Sequence, residues 1–126
     1  MTALNIVGAP LALCSTAPLT GWQRDGCCNT DANDLGLHVV CAVMTAEFLA
    51  FSKAAGNDLS TPQPAYGFPG LRPGDRWCLC AARWEEARLA GFAPEIIAEA
   101  THAKALEVTS LGHLQAHAIT AESQRY

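Results

Sequence analysis

Polar and apolar positions divide the chain into three ordered units separated by two long, breaker-rich stretches. Residues 37–44, Leu-His-Val-Val-Cys-Ala-Val-Met, form a β-branched apolar run, the pattern of a buried strand. Thr45 follows as a helix cap. Over residues 46–55, Phe48, Leu49 and Phe51 recur at near-helical spacing, with Glu47 in the first turn and Gly56 as the stop. The pattern repeats: residues 76–84 read as a second strand that runs into a helix over 85–90, ended by Gly91. A third unit has a strand over 94–100 through Ile96 and Ile97, with Thr101 capping a short helix over 102–106. A terminal helix covers 111–118. Residues 2–13 read as a short irregular strand and then an extended loop, broken by Gly8 and Pro10, and residues 119–126 as a frayed tail.

Residues 15–36 and 57–75 are rich in Gly, Pro, Ser, Thr, Asp and Asn. The second stretch carries Pro62, Pro64, Pro69 and Pro73, which permit neither a helix nor a central strand. Long ordered loops in a compact domain are often functional. The expected fold class is α+β: one compact domain over residues 1–126, with a small mixed sheet, three strand-helix units and two long ordered loops. A length of 126 residues supports one core, not two.

Composition narrows the function classes. Half the residues are hydrophobic and 16% are charged, which argues against disorder, and no apolar run approaches the ~20 residues that cross a bilayer. No membrane partner is expected. The net charge is −4 and the eight Lys and Arg are scattered, so no basic stripe exists for nucleic acid. The first basic residue, Arg24, lies beyond the apolar stretch 3–13, so the secretory pattern is missing. Leu11-Ala12-Leu13-Cys14 looks like a lipoprotein box but has no N-terminal charge and follows Pro10. The expected location is the cytoplasm. No P-loop, G-x-G-x-x-G or G-x-S-x-G string occurs.

Six cysteines are the unusual feature. In an extended strand Cys78 and Cys80 point to one face, and Trp77 and Leu79 to the other. Their Cα atoms would stand roughly 6.5–7 Å apart, which suits a shared metal better than a mutual disulfide. Zinc or iron would take Cys78 and Cys80 with two of Cys14, Cys28, Cys41 and His38, one pair from each of two segments. His38 and Cys41 face opposite sides of a regular strand, so at most one serves that site. Cys27 and Cys28 are neighbours, which makes one of them a bystander. In a reducing cytosol thiols are more often buried, metal-bound or redox-active than structurally disulfide-bonded. Two other readings stay open. One cysteine is an activated thiolate, favoured by Arg24 or a helix N-terminus and resolved by another cysteine, or the cysteines only pack the core.

The loops add polar candidates. Arg24 can fork onto a carboxylate or phosphate, and Asp25 or Asp58 can act as a general base or an anchor. For these residues, with Asn57, turn chemistry is the commoner use. Trp77, with Trp84, Tyr66 and Phe68, suits either the wall of a small-molecule pocket or the core. His113 and His117 are four apart on the last helix, a spacing that can bind metal but more often marks a plain exposed face.

Long strings of the sequence carry a resemblance. They are Gly56-Asn57-Asp58-Leu59-Ser60-Thr61-Pro62, Phe68-Pro69-Gly70-Leu71, Pro73-Gly74-Asp75-Arg76-Trp77-Cys78-Leu79-Cys80, Ala93-Pro94 and Ala100-Thr101-His102. With Cys14-Ser15, Thr20-Gly21, Arg24-Asp25-Gly26, Cys28, Thr30, His38 and Cys41, the chain from about residue 5 to 117 resembles the small bacterial proteins of domain of unknown function 2237. The resemblance implies a self-contained bacterial-type domain with plant relatives and brings no established activity. Its pattern includes Cys14, Cys28, Cys41, Cys78 and Cys80 but no cysteine at Cys27, which implies that Cys27 is the bystander. Trp22, Gln63 and Ala65 depart from the pattern, which weakens any role for those three. The leading expectation is a cysteine-rich site that binds zinc or iron, in a protein that also has room for a small-molecule ligand.

Overall fold

The computed structural model describes residues 3–119. The chain runs β1 (His38–Val43), α1 (Ala46–Ala54), β2 (Arg76–Cys80), α2 (Ala81–Ala90), β3 (Ile96–Ile97), α3 (Leu111–Ala116) and β4 (Ala118–Ile119). Short 3-10 turns lie at Pro64–Tyr66, Ala98–Ala100 and Ala103–Glu107. The strands form one mixed sheet in the order β2-β1-β3-β4, with β1 antiparallel to both neighbours and β3 parallel to β4. This is a small single α+β domain. Among the described residues, no helix is long and apolar enough to cross a membrane.

The period-two alternation of the strands sorts two clusters onto opposite faces of the sheet. On one face Val40, Ala42, Trp77, Leu79 and Ile96 pack with Phe48 and Leu49 of α1, Trp84 and Ala87 of α2, and Leu114 of α3. Trp84 is fully buried, and its indole N–H donates to the Pro94 carbonyl at 3.1 Å. On the other face Cys41, Cys78 and Ile97 pack with Cys14 and Cys28 from the N-terminal loops, beside Ala100. A helix-covered face and a cysteine-lined face thus share one thin sheet.

Thr45 caps α1 as expected, its hydroxyl accepting from the Phe48 N–H at 3.0 Å. The second strand is shorter than the apolar run suggests. It stops at Cys80 and α2 starts at Ala81, because Ala81, Trp84 and Ala87 recur at helical spacing and are all buried. The third strand shrinks to two residues, as the chain tightens into a 3-10 turn at Ala98. Thr101 is not the N-cap of the next turn: its buried hydroxyl donates to the Ile97 carbonyl and accepts from the Cys41 N–H, while the His102 ring caps that turn. The last helix ends at Ala116, and Ile119 pairs with β3 instead of fraying. The rest of the expected tail lies outside the described residues. No strand forms in residues 3–13, where Asn5 holds the loop by accepting from Val7 and Ala9 and donating to the Glu99 carbonyl. Glu85 joins α2 to the segment before α3: its carboxylate receives two Arg88 hydrogen bonds and one from the Thr109 hydroxyl, which hold its pKa down to about 2.

Candidate functional site

β2 is an edge strand, and the two long loops fold over its open side. Between them lies a cleft of about 540 Å³, within the range of small-molecule sites. The first loop contributes Trp22 and Arg24, the second Asn57, Asp58, Tyr66 and Phe68, and the sheet His38, Trp77, Cys78 and Cys80. Gly21 permits the first loop its shape. Its φ is +103°, and a Cβ there would collide with the Cys27 carbonyl.

The ladder between β1 and β2 sets which residue of β1 stands opposite Cys80. Cys41 pairs with Cys78 and Val40 with Leu79, but Cys80 pairs with His38, because a bulge leaves Val39 as an extra residue. Val39 and Val40 therefore both join the helix-side cluster. Beyond the bulge the alternation is reset, and His38 shares a face with Cys80, Cys78 and Cys41, contrary to the regular-strand expectation that His38 and Cys41 oppose each other. The register thus sets Cys80 and His38 opposite each other across the two strands. Cys80 is a free, partly exposed thiol and the N-cap of α2, where the helix dipole presents its positive end.

His38 is oriented from behind by Asp34. The buried carboxylate meets His38 Nδ1 at 2.6 Å through one oxygen, while the other accepts from the His38 N–H at 2.9 Å and the Thr30 hydroxyl at 3.0 Å. Burial pushes the Asp34 pKa up, but these hydrogen bonds and the charge of His38 outweigh it and hold the pKa below the usual carboxylate value. On the exposed side Trp22 stacks nearly parallel to the imidazole, with centroids 5.9 Å apart. Gly36 leaves room for the ring, since a Cβ there would lie 2.9 Å from His38 Cε1.

Four cysteines are paired. Cys14 bonds Cys41 and Cys28 bonds Cys78, with Cα separations of 5.8 and 5.1 Å. Cys41 and Cys78 are ladder partners, so the two bonds lie side by side, and the sulfurs of Cys14, Cys28 and Cys78 are all within 4.8 Å of one another. The expectation of unpaired thiols gives way to two disulfides, because the strand cysteines Cys41 and Cys78 each meet a loop cysteine. Cys80 lies outside this sulfur cluster. Cys27 is free and partly exposed; burial, with the nearby Asp25 charge, raises its pKa.

The sequence matches a family model over residues 4–118, nearly the whole chain, and that family is described as an uncharacterized protein conserved in bacteria, DUF2237. The chain belongs to the DUF2237 family. No curated protein matches it.

In this DUF2237 domain the other candidate residues divide between the cleft and the turns. Trp77 lies under the Arg24 guanidinium, 5.1 Å from ring centroid to Cζ, and meets Phe68 edge-on. Asp25 caps a turn by accepting from the Cys27 N–H. Asp58 lines the cleft, but its carboxylate accepts from the Thr61 hydroxyl and from the Ser60 and Thr61 N–H groups, which lower its pKa. Asn57 is anchored to the end of α1 through its backbone, bonded to Ser52 on both sides. His113 and His117 do not converge: His117 Nδ1 lies 3.0 Å from the His113 carbonyl, and its ring meets Trp84 edge-on. Sequence reasoning missed Asp34 and Thr20. Asp34 sits four residues before His38, a usable signal; Thr20, whose hydroxyl accepts from the Cys78 N–H at 2.8 Å, is marked by the Thr20-Gly21 string of the family pattern but is given no role there.

Proposed function

We propose that this DUF2237 domain is a thiol-dependent protein in which Cys80 is the reacting group, His38 its proton acceptor and Asp34 the residue that orients His38. The carrying observation is the ladder register that sets the free Cys80 opposite His38 while buried Asp34 holds Nδ1. An ionised carboxylate only accepts, so Nδ1 carries the proton and Nε2 is left with its lone pair. A nucleophile, a base and a group that fixes the base are the recurring parts of covalent catalysis. In the reaction the thiol proton passes to Nε2, Sγ attacks an electrophilic carbon or sulfur, and the leaving group departs with the bonding electrons.

A small molecule suits the cleft better than nucleic acid, given its volume and the net charge of −4. A cytoplasmic location would keep the partly exposed Cys80 thiol reduced, as the reading requires. The test is alkylation by iodoacetamide at neutral pH without reductant, with each site followed by mass spectrometry. Cys80 is expected to react at least about tenfold faster than Cys27, whose thiol is held protonated. Equal rates, or Cys27 reacting first, would overturn the reading.

A second reading rests on the convergence of the Cys14, Cys28 and Cys78 sulfurs. Once both disulfides are reduced, these thiols and Cys41 make a soft donor set suited to zinc or iron. Zinc titrated into the fully reduced, folded chain should then bind at about one equivalent, with loss of binding in C14S/C78S. A reduced chain that stays folded and takes up no zinc would sink it.

A further inference from the structure

Arg24 closes a turn onto the Gly21 carbonyl with its N–H, and three features carry its side chain beyond that turn. Its φ is +55°, the left-handed region that non-glycine residues enter at a cost, and such strain collects at functional sites. Its side chain projects over the Trp77 ring into the Cys80 cleft, steadied by Nη1 donating to the Gly21 carbonyl at 3.0 Å. Among the described residues no carboxylate lies within ion-pair distance of it.

The other charges of the cleft are already answered. Arg83 donates to Glu86 and to the Ala55 carbonyl, and the Asp58 carboxylate is engaged by Ser60 and Thr61. Asp34, buried behind His38 and outside the cleft lining, is bonded to His38 and Thr30. Arg24 is the cleft cation whose guanidinium fork is open to an acceptor, and one fork matches one carboxylate. Around it Trp22 and Tyr66 are exposed at 42% and 80%, large apolar surfaces at the cleft rim.

We infer that Arg24 is an anion-binding group and that the substrate of Cys80 is a small molecule carrying a carboxylate on a partly apolar body. This rests on the reading of Cys80 as the reacting thiol, and the experiment separates the two. Iodoacetate and iodoacetamide react alike: Sγ forms a bond to the CH₂ carbon, iodide leaves with the electron pair, and the thiol proton passes to His38 or water. They differ in one negative charge. At low ionic strength the iodoacetate-to-iodoacetamide rate ratio at Cys80 should exceed that of the urea-unfolded chain by about fivefold. R24N, whose Asn tolerates the left-handed backbone, should return the ratio to the unfolded value. Should R24N not fold, high salt applied to the unaltered protein should lower the ratio in the same direction. A ratio equal to that of the unfolded chain, or one indifferent to R24N and to salt, would overturn the role of Arg24 while leaving Cys80 as the reacting thiol. A Cys80 inert to both reagents would overturn both.

Discussion

Breaking the Cys28–Cys78 disulfide is expected to destabilise the fold more than any single side-chain loss. The bond spans 50 residues and Cys14–Cys41 spans 27. In the chain-entropy account, removal costs about 4 kcal/mol for the longer loop and about 3.5 kcal/mol for the shorter. In a domain of this size the first loss lowers the melting temperature by about 10–15 °C. The bonds interlock, since Cys28 lies inside the loop closed by Cys14 and Cys41, so the two costs are not additive. The consequence reaches the cleft. The loop between Cys14 and Cys28 carries Trp22 and Arg24, and Thr20 binds the Cys78 N–H beside the second bond. C28S/C78S and C14S/C41S, each melted against the oxidised parent, check the prediction. A C28S/C78S melting temperature within about 2 °C of the parent would show that the bond does not constrain the chain.

Local signals carried the fold a long way. The apolar run before Thr45, the threonine cap and the glycine stop placed β1 and α1 to within a residue or two. They failed where tertiary packing overrode them. Residues 81–84 look like more strand only until Trp84 and Ala87 are seen sharing one buried helix face. The site was legible in its parts and not in its assembly. Cys78 and Cys80 do share a face, yet the ladder gives them different partners, a cysteine for one and a histidine for the other. That difference follows from one extra residue at Val39, and a bulge has no signature in Leu-His-Val-Val-Cys. Cys14 and Cys28 sit in loops whose path is long-range, so their pairing with Cys41 and Cys78 could not be read from spacing.

Asp34→Asn is expected to slow Cys80 alkylation at least about tenfold and to cost about 2–4 kcal/mol of stability. Three donors converge on this buried carboxylate: the His38 N–H, the Thr30 hydroxyl and His38 Nδ1–H. Asparagine offers one oxygen, and its amide nitrogen must face a group that also donates. The imidazole relieves the clash by moving its proton from Nδ1 to Nε2, the atom the mechanism needs unprotonated. The cost in stability depends on pH in a defined direction. Because the folded-state pKa of Asp34 is depressed, its contribution is fully present above its ordinary value of 3.8 and disappears as pH falls through the lower folded value. Denaturant melts of the parent and D34N should therefore differ most near neutrality and converge in acid. Cys27, outside the cleft, serves as the internal control for reactivity, and its rate should not follow that of Cys80. If D34N loses stability but Cys80 still reacts at the parent rate, Asp34 is a structural anchor of the loop, and His38 does not depend on it for its proton.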